Sequence, residues 1–316
     1  MKARHPLLHR LWHIALWVFP LAVLALVARA ARAIDWPQVG TTLAGYDAGM
    51  LVAATALTVV SYLVYSGYDL AARRYAHHAL PTRRVMLIAG IAYALALNIG
   101  ALVGGTGFRF RMYSHAGLGV AVISRVIIFS TSTNWLGYLV LAGVLFASGS
   151  VVPPPRFASG AGWLQAAGFV MAALALAYLF ACHRLHGRIF HVRGHHFRLP
   201  SVPLALTQFG LAMVNWSLMA AIIFVLLPAP ADYPTVLGAC LFAAVATALA
   251  HVPAGLGVLE AVFVAVFAHR IAPTQVLAAL LAYRAIYFLV PLLLAVAGYA
   301  LLELRGRAPG NVYGGS

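Results

Sequence analysis

The chain has 316 residues, 63% of them hydrophobic and 9% charged, against about 25% charged in ordinary soluble domains. Its 21 basic and 6 acidic side chains cannot clothe a soluble fold of this size, so the composition describes a membrane protein. The net charge of +15 comes from 20 arginines and Lys2 that fall between apolar runs; this is the pattern of membrane anchors and excludes a nucleic-acid footprint.

Apolar runs long enough to cross the bilayer as helix occupy 12–29, 48–67, 85–103, 119–148, 163–183, 203–227 and 275–302. The first also has the basic start and small-residue triplets of a signal peptide, but with so many spans behind it an uncleaved helix is the plainer reading. The stretch 234–268 is apolar but interrupted at His251-Val252-Pro253-Ala254-Gly255-Leu256-Gly257, where proline removes a backbone donor and glycine loosens the chain. The second half of 85–118, Gly104-Gly105-Thr106-Gly107-Phe108-Arg109-Phe110-Arg111, is too polar and glycine-rich for a plain helix in lipid.

Loop charge orients the chain, because short basic loops stay cytoplasmic. Lys2, Arg4 and Arg10, the arginines of 68–84, those of 184–202, and Arg305 and Arg307 belong on one side. Strict alternation would send 184–202 to the other side. The conflict disappears if 85–118 and 234–268 are both hairpins, entering from opposite faces. The fold class expected is therefore an all-α polytopic membrane protein of about 7–8 transmembrane helices with one or two glycine-rich re-entrant or broken helices, arranged as an inverted repeat. A single membrane domain spans 1–303, with repeats near 48–148 and 163–302, and 304–316 is a short polar tail.

Charges at membrane depth are costly and need a partner or a task. Glu260 falls in the first turn after the 253–257 break, where the positive end of a helix dipole stabilises a carboxylate. Arg284 lies within Tyr283-Arg284-Ala285-Ile286-Tyr287, ahead of Pro291. The two either pair and hold helices together or face a cavity, the guanidinium taking a phosphate and the carboxylate an ammonium group. Arg109 and Arg111 alternate with Phe108, Phe110 and Tyr113, a turn suited to an anionic headgroup or to plain interfacial snorkelling. Arg125 lies deep enough to need a buried partner or water. Asp69 precedes Arg73 by four residues, the spacing of an exposed helical ion pair. Asn98, Asn134, Asn215 and Gln208 are expected to bond between helices. The substrate-binding candidates are Arg284, Glu260, Arg109, Arg111, Arg125, Tyr283 and Tyr287; the hinge candidates are Pro253, Gly255, Gly257, Gly105 and Gly107.

Cys182 with the histidines at 183, 186, 191, 195 and 196 suggests a metal, but interleaved arginines repel a dication, and a basic loop on anionic lipid accounts for the cluster better. One lysine, at position 2, permits no Walker A loop, and neither HExxH nor GxSxG occurs. No cofactor, metal or catalytic set is expected. An enzyme reading would have to use His251 and Glu260 as acid and base.

The segment Val252-Pro-Ala-Gly-Leu-Gly-Val-Leu-Glu260 resembles the lysylphosphatidylglycerol synthase transmembrane-region family, the flippase half of the bacterial multiple peptide resistance factor and its stand-alone relatives. Asn215 to Pro228, Tyr283 to Tyr287 before Pro291, and Gly107 to Tyr113 ahead of Gly117 resemble family segments in the same order. The first glycine-rich segment departs from the proline-containing form of many relatives. The resemblance implies the membrane part alone, in the bacterial inner membrane, and the basic residues near each end put both termini on the cytoplasmic side. It implies movement of a phospholipid between leaflets without lysyl transfer, and a non-enzymatic role. The alternative is a scaffold for a partner lipid-modifying enzyme.

Overall fold

The computed structural model describes residues 36–149, 161–185, 188–192, 195–250 and 255–306. The apolar run 12–29, the N-terminal basic residues, Arg29, Arg32, Arg156, Arg193, Arg307, His251 and Pro253 lie outside the described residues.

Helices carry nearly all of the described chain. A short α1 (Trp36–Ala44) leads into α2 (Ala48–Ala76), and α3 (Thr82–Ile99) runs to a turn at Gly100. A π-helical stretch (Ala101–Gly107) and α4 (Phe108–His115) come back beside it. Then follow α5 (Val120–Ala147), α6 (Ala161–Arg184), a two-stranded antiparallel ribbon β1 (Ile189–Val192) and β2 (His195–Arg198), and α7 (Val202–Leu226). The last elements are α8 (Tyr233–Ala250), α9 (Val258–Phe267), α10 (Pro273–Tyr283), a second π-helical stretch (Arg284–Leu289) and α11 (Val290–Gly306). Among the described residues six helices are long and apolar enough to cross a membrane. This is a multi-pass helical membrane protein.

One of those six, α3, is the entering limb of a hairpin. Gly100 adopts φ +102, a conformation that L side chains rarely take, and a Cβ at Gly104 would lie 2.1 Å from the Leu95 carbonyl oxygen. The chain can therefore reverse tightly enough for the π stretch to lie against α3. At the open end Arg84 Nη2 donates to the His115 carbonyl at 3.4 Å, so entry and exit are neighbours. The second hairpin, α8 with α9, closes in the same manner, with Arg270 Nη1 donating to Asp232 Oδ2 at 3.0 Å.

Two reversals settle the placement of the loops. Tyr75 Oη, at the end of α2, donates to the Arg198 carbonyl at 2.6 Å, which puts the basic segments 68–84 and 184–202 at one end of the molecule. Tyr46 Oη donates to the Leu226 carbonyl at 3.0 Å at the opposite end. The order span, hairpin, span thus occurs as α2, α3–α4, α5 and again as α7, α8–α9, α10–α11, with the direction reversed and α6 between them.

The spans approach closely where side chains are small, as helices without a hydrophobic driving force between them require. A Cβ at Gly137 on α5 would sit 2.1 Å from Ala212 Cβ on α7, and one at Gly168 on α6 would sit 2.3 Å from the Ala147 nitrogen. The sequence has GxxxG spacings at Gly45/Gly49 and Gly100/Gly104; Gly45 lies in a turn, and Gly100 and Gly104 serve the hairpin reversal.

Several expectations need correction. The segment 184–202 is not a plain loop, since it holds the β ribbon. Asp69 does not pair with Arg73, whose Nη1 donates to the Leu80 carbonyl and to Thr82 Oγ1, each at 3.0 Å. Arg125 is exposed on α5 and not sunk among buried partners, because its helical position faces outward beside buried Ile123 and Val126. Asn134 engages Trp216 Nε1 through its carbonyl and not its side chain.

Candidate functional site

The hairpin tip before α9 is made by glycines for steric reasons. Gly255 and Gly257 have φ of +58 and +79, and a Cβ at Gly255 would lie 2.8 Å from Thr247 Oγ1. This turn delivers Glu260 to the first turn of α9, where its Oε2 accepts the Gly257 N–H at 2.9 Å, half of a capping box.

Arg284 meets Glu260 from α10. Nε donates to Oε1 at 2.5 Å and Nη2 to Oε2 at 3.1 Å, a two-bond fork, while Nη2 also reaches the Gly255 carbonyl at 3.1 Å. The side chains are 10% and 19% exposed. Arg284 begins eleven residues after the start of α10, about 16 Å along a helix that must cross about 30 Å of hydrocarbon. The ion pair is therefore near mid-depth. The guanidinium also lies 5.5 Å from the Phe288 ring centroid.

A second pair occupies the first hairpin. Arg109 Nε, at the start of α4, donates to Asp69 Oδ2 on α2 at 3.1 Å, and both side chains are buried. Tyr113 Oη and Ser130 Oγ also donate to this carboxylate, at 2.9 and 2.6 Å. Three donors on one carboxylate satisfy the requirement that a buried charge be paired and hydrogen-bonded. Arg109 Nη2 and Tyr68 Oη are buried without a hydrogen-bond partner among the described residues.

Tyr283 and Tyr287 are both buried and stack on each other, with centroids 5.2 Å apart. Pro291 has no N–H to close the helical turn, and Tyr62 Oη donates to the Tyr287 carbonyl at 3.1 Å. Asn98 Nδ2 donates to the Phe288 carbonyl at 3.2 Å, so side chains of α2 and α3 supply donors to the π stretch.

The geometry thus draws Glu260, Arg284, Gly255 and Gly257 together, puts Tyr283 and Tyr287 beside them, and leaves Arg109 in a separate pair. Arg111 is exposed on α4 and Arg125 on α5. Gly105 packs on Ala96, its added Cβ falling 3.1 Å from that methyl, whereas one at Gly107 would meet only the Leu102 carbonyl at 3.8 Å. Asn98, Asn215 and Gln208 all bond across helices.

Sequence reasoning missed Ser61, Tyr62, Tyr65, Tyr68 and the true partner of Asp69. The available signal was spacing: Ser61, Tyr65, Tyr68 and Asp69 recur at helical intervals in an otherwise apolar run, which marks one polar face.

The family model for the lysylphosphatidylglycerol synthase TM region matches residues 12–295. The chain belongs to that family. It is 40% identical over 308 residues, 97% of each chain, to "Inner membrane protein YbhN" of Escherichia coli strain K12. It is 31% identical over 278 residues, 85% of each chain, to "Uncharacterized protein slr0712" of Synechocystis.

Proposed function

We propose that this protein moves a phospholipid with a phosphate headgroup, one that can also bear an amine, between the leaflets of the bacterial inner membrane. The observation that carries this reading is the Glu260–Arg284 pair, placed near mid-depth at the tip of a broken hairpin. A buried charge pair there is costly unless it has a use. Arginine offers a planar fork for a phosphate and the glutamate an acceptor for an ammonium group, so a zwitterionic headgroup could replace the internal pair bond for bond. Arg109 forms the corresponding pair in the other hairpin, and Arg111 and Arg125 at the surface would attract anionic lipid.

The two span–hairpin–span units run in opposite directions, which favours alternating access by inverted repeats. The end bearing Arg73, Arg74, Arg83, Arg84 and Arg198 is assigned to the cytoplasm by its positive charge, and the C-terminus of α11 is inferred to lie on the same side. The protein is inferred to act without covalent chemistry and to need no cofactor.

The test is leaflet exchange of fluorescent phosphatidylglycerol and phosphatidylethanolamine in phosphatidylcholine vesicles containing the purified protein. Exchange that is lost with Arg284→Ala and with Glu260→Gln, each still folded by circular dichroism, supports the proposal. Absence of exchange for every lipid would replace it with a scaffold that docks a lipid-modifying enzyme.

A further inference from the structure

Four buried side chains at the centre of the molecule form a closed ring of hydrogen bonds. Ser61 Oγ donates to Asn215 Oδ1 at 2.8 Å. That oxygen can only accept, so the single hydroxyl proton of Ser61 is used, and the 2.7 Å bond between Ser61 and Tyr287 must be donated by Tyr287. The proton of Tyr287 is then also used, so Tyr93 Oη is the donor in its 2.8 Å bond to Tyr287. Asn215 Nδ2 donates to Tyr93 Oη at 3.4 Å and closes the circuit. The only competing acceptor for Tyr93 among the described residues is Met219 Sδ at 3.7 Å, longer and weaker.

Every hydroxyl in this ring donates once and accepts once. Its members come from α2, α3, α7 and the π stretch, so it joins both span–hairpin–span units at one point. All four side chains are buried, between 0% and 6% exposed. On one side, Tyr287 is one turn from Arg284. On the other, Tyr65 stacks on Tyr93 at 3.5 Å and Tyr68 follows at 4.6 Å. Beyond them are two donors without acceptors among the described residues, Tyr68 Oη and Arg109 Nη2.

Buried polar groups without partners are rare and call for an explanation. Here they stand behind a fully satisfied ring, along a polar face of α2 that ends at Asp69. We propose that the Ser61–Asn215–Tyr93–Tyr287 ring is the gate of a headgroup route. Closed, it separates Arg284 from the donors at Tyr68 and Arg109, and a lipid phosphate opens it by accepting hydrogen bonds from the Tyr287 and Ser61 hydroxyls in place of those within the ring. The gate rests on the transport reading, and it adds the residues that interrupt the route.

The experiment uses Tyr287→Phe, which removes the oxygen shared by two ring bonds and keeps the ring stacked on Tyr283. Ser61→Ala serves as a second variant if Tyr287→Phe does not fold. Exchange of fluorescent phosphatidylglycerol is measured in phosphatidylcholine vesicles, together with labelling of Thr58→Cys by a membrane-impermeant maleimide in a Cys182→Ala, Cys240→Ala background. Thr58 is buried one turn before Ser61 on α2. The gate predicts faster labelling in the ring variant and faster exchange at saturating lipid, by about fivefold for each net hydrogen bond removed. Faster labelling without exchange in any protein, wild type included, would reject transport while retaining the ring as a seal. Unchanged labelling in a folded variant, or exchange that falls in parallel with thermal stability, would overturn the gate.

Discussion

Asp69 and Arg109, forty positions apart, form a buried ion pair at 3.1 Å that ties α2 to the returning limb of the first hairpin. The second hairpin carries the reverse arrangement. There the acid, Glu260, is on the returning limb and the arginine, Arg284, on the span. Each hairpin is thus held to a full span by one charge of each sign, and removing either partner leaves the other buried and uncompensated.

Asp69→Ala should therefore cost about 3–5 kcal/mol, the range for breaking a buried pair. Asp69→Ala combined with Arg109→Met should recover part of that loss. Thermal unfolding in detergent, followed by circular dichroism, measures both.

Arg284→Lys keeps the charge but lacks the fork that serves both Glu260 oxygens and the Gly255 carbonyl. The variant should fold and yet lose lipid exchange by about tenfold or more, the factor that corresponds to about 1.4 kcal/mol. A Lys variant with wild-type exchange would show that charge alone suffices.

Gly104→Ala should destabilise by about 1–3 kcal/mol, the usual range for overpacking, because the added Cβ meets the Leu95 carbonyl at 2.1 Å. Gly210→Ala is the control: nothing lies within 4 Å of its added Cβ on α7, and removing a helical glycine should stabilise by about 0.5–1 kcal/mol. Paired melting curves decide the matter.

His78, in the turn after α2, has both ring nitrogens buried without a partner among the described residues and its ring 6.0 Å from that of Tyr113. Burial, reinforced by Arg73, lowers its pKa despite the opposing pull of Asp69. The unfolded chain then binds a proton more readily than the folded one. Stability is full above the ordinary histidine value of about 6.5 and falls as pH drops below it. Melting temperatures taken from neutral pH down to about 5 should show this decline, and His78→Phe should reduce it.

Asp232 and Arg270 clasp the open end of the second hairpin with side chains 47% and 52% exposed. Although partial burial opposes it, hydrogen bonds from Thr235 and the Arg270 charge hold the Asp232 carboxyl below its usual value. The clasp is present above the ordinary carboxylate range and is lost as pH falls through the lowered value. Arg270→Ala should cost no more than about 1 kcal/mol, as exposed pairs do.

Much of the architecture was legible in the sequence. Apolar run length marked the spans from 48 onward, and loop arginines required one segment between 68–84 and 184–202 to fold back, since strict alternation would put those loops at opposite ends. The glycine and proline breaks marked where. Glu260 and Arg284 were recognisable because an unexplained charge in an apolar run is expensive wherever its partner is. The Asp69 pairing was missed because helical spacing offered a nearby alternative in Arg73, and local spacing cannot compete with a buried site that excludes water. Arg125 was assigned to depth from its position along the helix, but exposure depends on the direction it faces.

By itself, then, the sequence determined an all-helical membrane protein with two interrupted hairpins and charges that needed partners. These follow from local chemistry: hydrocarbon demands closed backbone hydrogen bonds, and glycine and proline state where helices break. Only the tertiary structure decided which acid meets which arginine, and that Ser61, Tyr93, Asn215 and Tyr287 close one ring. Hydroxyls and amides in apolar helices look alike in sequence. Their partners are set by which faces the packed helices turn toward one another, and small residues such as Gly137 and Ala212 control that packing.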